Sequence, residues 1–492
     1  MLKTKNHFYT LLASGLLLII LACRQNTQEN PPPLKTSAYR IINGTFLGNE
    51  KRNYYGDKAP DALRLVWKLA LGSGRTVVSP AKGPVNWSGA GWTGQPLLVE
   101  ENGKLILIQG AYDHHLKKID AATGTVIWQY TFDDVVKGTG TLWLNEKARS
   151  PEEELIILQG SRQGVKNSFR IPVIPSYRAI SFSSGKEFWR HNVKLTDSYS
   201  RDVDASALVL NDTAYIGLEN GIFTVFNPSP ATVEQREGIT QPMVYQESIL
   251  YTPEDVIAHK RNLVTESSPC LLRDHVYVAS GSGHVYGYNL ITRAIDWDFF
   301  IGSDMDGSCI VTSDSCILVS VEKQYIAGRG GIYKLDPSRK PEETVVWFFP
   351  TANRNFATWQ GGVIGSAAIN DRYRKEGDPY LALFTAIDGW MYVVNYMEID
   401  SSRQVTGTNG KTLYPTPRLL FKYNTGPSIS TPIFTENRIV AAGYNGIHLF
   451  SYTPKELKLL ANFQASCESS PVVHNGRLYI ASRDGNLYCF GE

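Results

Sequence analysis

The sequence predicts an all-β fold, an eight-bladed β-propeller of four-stranded antiparallel blades, and three observations lead there. The 492 residues hold 42 Gly, 26 Tyr and 10 Trp but only 5 Met, a balance that favours short strands and tight turns over long helices. A unit best seen in "ESSPVVHNGRLYIASRDGNLYCF" recurs about eight times between residues 63 and 490. Each unit repeats one plan: a small-residue lead-in, two short apolar strands, an Asn/Asp/Ser-Gly turn, an aromatic third strand and a fourth strand bearing Trp. That is the pattern of a blade.

The elements can be justified in chain order. Lys3 and Lys5 precede the apolar run "FYTLLASGLLLIILA", which is short for a membrane span and fits a secretory leader over residues 1–22. Ile20, Leu21, Ala22 and Cys23 resemble the lipobox of bacterial lipoproteins, in which the cysteine becomes the lipid-bearing N-terminus. That resemblance implies lipidation at Cys23, with residues 23–62 as lipid anchor and flexible tether and residues 63–492 as the propeller. The residue after Cys23 is Arg24, which implies outer-membrane delivery facing the periplasm. Loss of the leader removes two Lys and no acid, so the mature chain is close to neutral and nucleic-acid binding gains no support.

The last unit ends at its third strand, and "LRLVWKLALG" at 63–72 carries an isolated Trp67. An open sheet edge invites aggregation, so this strand is expected to complete the eighth blade and close the ring. Full copies follow, ending on Trp128, Trp189, Trp297 and Trp347, while Phe421 stands where a sixth Trp is expected and the outer strand after Phe226 is rewritten. Glycines 221, 283, 389, 446 and 485 fall at turns that need positive φ. The cysteines other than Cys23 form no CxxC and no adjacent pair, and read as buried free thiols.

The stretch "DAATGTVIW", residues 120–128, resembles the tryptophan-docking repeat of the pyrroloquinoline-quinone (PQQ) type propellers. The resemblance implies that Trp67, Trp128, Trp189, Trp297 and Trp347 pack between neighbouring blades and bond across to them. It also implies that the loops leading into each first strand, and those between second and third strands, meet on one face around a central channel. The lead-in segments place Asp202, Asp204, Glu266, Asp304, Asp306 and Glu468 at that mouth. Six converging carboxylates repel, and relief must come from a cation, from basic groups such as Arg201 and Arg483, or from raised pKa values. Ca²⁺ suits such oxygen donors, with Asp204 and Asp306 as ligands; a solvated acidic funnel is the plainer alternative. Trp92 and Trp359 also lie in lead-in loops, as an aromatic floor for a ligand or as blade packing. His114 and His115 are adjacent and point apart, which argues against their sharing a metal.

Three functional classes compete. One is a non-catalytic binding or scaffold lipoprotein of the cell envelope, similar in architecture to the barrel-assembly scaffold of Gram-negative outer membranes, with a protein partner or small ligand at the mouth and a monomeric propeller. The second is a quinoprotein dehydrogenase, but those enzymes carry an adjacent-cysteine disulfide over the cofactor that this chain lacks, so PQQ is not expected. The third is another propeller enzyme, such as a carbohydrate-active one, supported by the acidic mouth alone. No catalytic set is legible, and the first class is the expectation.

Overall fold

The computed structural model describes residues 38–79, 83–92, 94–436 and 438–492. The leader and Cys23 lie outside the described residues. Tyr39–Glu492 forms one compact unit, and its described residues build eight antiparallel blade sheets and three two-stranded hairpins. No described helix is long and apolar enough to cross a membrane.

Five strands fix the vocabulary: β1 (Tyr39–Asn43), β2 (Leu65–Ala70), β3 (Ser73–Ser79), β4 (Gly83–Ser88) and β5 (Leu97–Glu101). Each blade runs from an inner strand to an outer one. The first is β5 followed by Lys104–Gly110, His115–Asp120 and Val126–Thr131, and the pattern continues to the eighth, whose inner strand is Val472–His474. The ring closes as expected. β2 pairs with Asn486–Phe490, Trp67 opposite Cys489 and Ala70 opposite Asn486. In the third blade, whose outer strand the sequence had left unclear, a small side hairpin (Glu234–Arg236 with Ile239–Gln241) intervenes before Met243–Ile249 takes the outer place.

Four of the five tryptophans bond to the next blade. The indole N–H groups of Trp67, Trp128, Trp189 and Trp347 donate to the carbonyls of Ala121, Phe182, Pro228 and Tyr396 at 3.0–3.1 Å. The first two rings lie against Gly124 and Gly185, both at φ +75, where a Cβ would come within 2.7 and 3.1 Å of the indole. Trp297 is buried, but its Nε1 has no hydrogen-bond acceptor among the described residues. The five cysteines beyond Cys23 are buried free thiols.

A second closure runs around the channel. In six of the eight lead-ins one residue accepts the backbone N–H of the preceding blade on its hydroxyl: Gln95 N to Thr139, Ser206 N to Ser268, Ser268 N to Ser308, Ser308 N to Ser366, Ser366 N to Thr431 and Thr431 N to Ser470. Thr139 and Ser206 are joined by the Ser206 hydroxyl donating to the Thr139 carbonyl, and Ser470 N reaches Gly94 O. These inner backbone groups would otherwise lack partners in the interior.

The expectation of a flexible tether over 23–62 is corrected for residues 39–61. That segment fills the channel. β1 adds a fifth strand to the inner edge of β5. Beyond it Gly44 O accepts from Leu142 N, Glu50 O from Leu271 N, and Lys51 O from Val311 N. Arg52, wholly buried, donates to the carbonyls of Pro269, Phe46 and Ser206 and to the Thr45 hydroxyl. The Tyr55 hydroxyl accepts from Ile369 N, Asp57 meets Asn475 N and His474, and Asp61 meets Arg438. The segment thus touches all eight blades. Its apolar members Phe46, Leu47, Tyr55 and Ala59 are buried in the same core as the sixth and seventh blades, which explains why a polar-looking stretch orders.

Candidate functional site

The position two residues before each hydroxyl of the inner ring projects into the mouth. Around the ring it is Lys137, Asp204, Glu266, Asp306, Ile364, Ile429 and Glu468. Gly138 allows neighbouring lead-ins to touch, since a Cβ there would fall 1.9 Å from the Asp204 carbonyl oxygen. That contact brings Lys137 beside Asp204.

Lys137 is the hub. Its Nζ forms an ion pair with Asp204 and lies 3.8 Å from Glu219, 3.9 Å from Glu266 and 4.0 Å from Asp202, all with buried or nearly buried side chains. It also sits 5.1 Å from the Trp92 ring centroid. Two peripheral pairs flank this centre. Arg162 Nε donates to Asp202 at 2.6 Å, and Arg483 donates to both oxygens of Glu468 at 2.9 Å, where the Tyr444 hydroxyl also donates. Both guanidiniums lie near the Trp87 ring, at 5.5 and 5.6 Å, and so hold the β3–β4 hairpin beside the mouth.

Three pairs leave Glu219, Glu266, Asp304, Asp306 and Glu322 without a cation of their own. Burial is the first cause raising every one of these acids above its ordinary range, followed by neighbouring carboxylates for Asp306 and Glu322, while for Glu266 Lys137 opposes it before Glu219 and Asp304 add to it. For Asp204 and Glu219, Lys137 pulls the other way without prevailing. Asn262 donates to Asp304 at 2.5 Å and Trp92 Nε1 to Glu266 at 2.6 Å. Asp204 Oδ1, Glu219 Oε1 and Asp304 Oδ1 are buried with no hydrogen-bond donor among the described residues.

Trp92 divides the mouth in two. It takes φ +53, a rare conformation for a bulky side chain and one that recurs at functional positions. On one side lies the charged group just described; on the other, Trp359, 6.2 Å away ring to ring, packs with Ile364, Ile387 and Ile429. Trp359 comes from the small hairpin Asn353–Phe356 with Trp359–Gly361. Above, a cavity of about 1350 Å³ is bounded by the β3–β4 hairpin, residues 163–170, residues 195–200 and residues 357–359. Below, Phe46 of the channel-filling segment closes a much smaller recess of about 10 Å³ shared by Asp204, Glu266 and Asp306. The mouth is a blind funnel.

A family model described as outer membrane protein assembly factor BamB matches residues 64–340, more than half of the chain. The chain belongs to this BamB family. Among solved structures it is similar to BamB from Moraxella catarrhalis, with 13% identity, a TM-score of 0.52, and coverage of 87% of this chain and 100% of that one. It is similar also to quinohemoprotein alcohol dehydrogenase from Comamonas testosteroni, with 13% identity, a TM-score of 0.58, and coverage of 92% and 80%. A europium-containing methanol dehydrogenase aligns at 11% identity and TM-score 0.55 over 91% and 98%. At such identities the likeness establishes the fold alone. No curated protein sequence matches the chain.

On this BamB-family scaffold Asp202, Asp204, Glu266, Asp306 and Glu468 line the funnel or the recess below it, with Trp92 and Trp359, while Asp304 lines neither and is held by Asn262. Arg201 does not join them. Its side chain turns away, wholly buried, and donates to the carbonyls of Val193, Phe169, Ile171 and Pro172, so it braces a loop. Among the described residues, Asp204, Glu219 and Glu266 bring three carboxylate oxygens within 4.8 Å of one another, a group without Asp306. Lys137, Glu219, Glu322 and Arg162 also stand at the mouth, beyond the residues expected from the sequence. Lys137 shares the register of the acids and was legible there; Glu219, Glu322 and Arg162 lie in the loops between second and third strands.

Proposed function

We propose that this chain is a lipid-anchored lipoprotein of the cell envelope, held at the outer membrane through Cys23 and facing the periplasm, whose propeller is a non-catalytic binding or scaffold module. The observation that carries the reading is the blind, two-sided funnel. A rigid ring closed three ways, by β2, by the hydroxyl ring and by the channel segment, presents a fixed concave surface with a charged half and an apolar half. Such preorganised surfaces bind without ordering cost. The BamB family match supports an envelope role for it, and the lipobox at 20–23 supports the anchor.

The quinoprotein reading fits the donor set poorly. PQQ carries three carboxylates, whereas Lys137, Arg162 and Arg483 are each already held by a carboxylate, and Glu219 and Glu266 share the Lys137 ammonium at 3.8 and 3.9 Å. A trianion placed here would compete with these carboxylates for cations already engaged in a desolvated site.

Two experiments test the proposal. Cys23→Ser should give a soluble or an uncleaved chain, and membrane retention of fully processed mutant would overturn the anchor. A photo-crosslinking side chain at Tyr199, exposed on the mouth wall, should trap one discrete protein adduct in the envelope, while the same group at Glu456, on the outer strand of the seventh blade, should not. Equal labelling from both positions would remove the mouth as the binding surface.

A further inference from the structure

The mouth holds its own clue to the chemistry of what it binds. Lys137 shows that an alkylammonium fits over the Trp92 face among the carboxylates. Beside it, Glu219 and Glu266 line the large cavity, and Glu219 Oε1 is buried with no donor, in a residue only 2% exposed. Its nearest cation is the Lys137 ammonium at 3.8 Å, beyond hydrogen-bond reach, so this oxygen at the wall of an open cavity can still accept a hydrogen bond from a ligand donor. The surfaces next to it are apolar: Val77, Val78 and Val85 from the β3–β4 hairpin on one wall and Trp359 on the other. The guanidiniums of Arg162 and Arg483 are consumed by Asp202 and Glu468. Arg170 and Arg261 stand exposed at the outer edge, Arg261 beside Asp197.

We propose that the funnel binds an organic cation, an alkylammonium or guanidinium group on an apolar stem, with the charge between Glu219 and Glu266 and the stem between the valines and Trp359. The proposal rests on the reading of the mouth as a binding surface and names the ligand chemistry of that surface. The juxtaposition of acid, aromatic face and apolar wall favours this class. Coulomb attraction and the Trp92 ring both act on a cation, and the apolar walls gain from the stem. A bare metal ion would use the acids alone and leave the walls idle. The same group can come from a free amine or from a lysine or arginine side chain of a partner.

The test is calorimetric titration of the full mature chain with n-hexylammonium, 1-hexanol, hexanoate and CaCl₂, followed also by tryptophan fluorescence. Hexylammonium should bind once per chain, shift the emission, and weaken as ionic strength rises. Hexanol and hexanoate should bind roughly tenfold or more weakly, because they lack the charge that pairs with Glu219 and Glu266. Glu219→Gln and Glu266→Gln should each reduce the affinity for hexylammonium by a similar factor. Should either variant fail to fold, the salt dependence and the hexanol comparison on the native chain decide instead. An acetylated Leu-Lys-Leu amide against its norleucine counterpart separates the two sources: preference for the lysine peptide over hexylammonium assigns a polypeptide, the reverse a free amine. Equal binding of hexanol, stronger binding of hexanoate, or a response to Ca²⁺ alone would overturn the proposal. Ammonium binding without any crosslinked partner would sink the scaffold reading and leave this one standing; a partner without ammonium binding would do the opposite.

Discussion

Lys137 Nζ, from the lead-in of the second blade, lies 3.9 Å from Glu266 Oε1 of the fourth, with Asp204 and Glu219 around the same ammonium. One cation therefore ties loops of three blades together on the channel axis. The sequence had asked for an ion or a basic partner to relieve the acidic mouth; part of that relief comes from this side chain.

Replacing Lys137 by Met should destabilise the ring by about 3 to 5 kcal/mol, because it leaves buried carboxylates without their partner. Adding Glu266→Gln should recover part of the loss. A double-mutant cycle by denaturant unfolding measures the coupling, and strict additivity would show that the two residues do not interact.

The raised acids set a pH dependence. Burial lifts Asp204 to about 7, Glu266 to about 8 and Asp304 to about 6 in the folded chain, against ordinary values of about 4 in the unfolded one. The folded state therefore holds protons that the unfolded state has released. Their contribution is fully present below the unfolded values and drains away as pH rises through 6 to 8. Asp57 works oppositely: although burial opposes it, hydrogen bonds from His474 and from backbone N–H groups lower it to about 2, so its contribution is lost only as pH falls toward that value. Melting temperature should fall between mildly acid and mildly alkaline buffer, and Glu266→Gln should flatten the slope. A level profile in the native chain would contradict the burial of these acids.

The tryptophans allow a comparison within one molecule. Trp128→Phe removes a cross-blade hydrogen bond and should cost about 0.5 to 1.5 kcal/mol more than Trp297→Phe, whose indole N–H has no acceptor to lose. Thermal unfolding of the two variants is the check; equal losses would mean that packing alone accounts for both.

Much of this was legible because the repeat is strict. The missing outer strand at the C-terminus located Trp67, whereas the Ser or Thr of the lead-ins read only as small residues, and the ring formed by their hydroxyls came from the structure. The repeat also explains what was hidden. Lys137 occupies a position where other blades carry acids, and a search for converging acids passes over it. Arg201 is next to Asp202 in sequence, but alternate residues of an extended lead-in face opposite ways, and it faces the carbonyls of 169–172. Residues 39–61 belong to no repeat, so periodicity says nothing of them. Their density of Phe46, Leu47, Tyr54 and Tyr55 was the available signal, and it was diluted by Asn, Gly and Lys.

The central claim is that this segment is part of the propeller core and floors the funnel, and amide hydrogen exchange on the full mature chain tests it most directly. The backbone N–H groups of Phe46, Leu47 and Tyr55 are bonded to Ser206, Gln95 and Tyr373. Peptides covering 41–57 should exchange as slowly as the inner strands of the blades, opening only near global unfolding. Exchange of that segment at the rate of an unstructured linker, while the blades stay protected, would contradict the account.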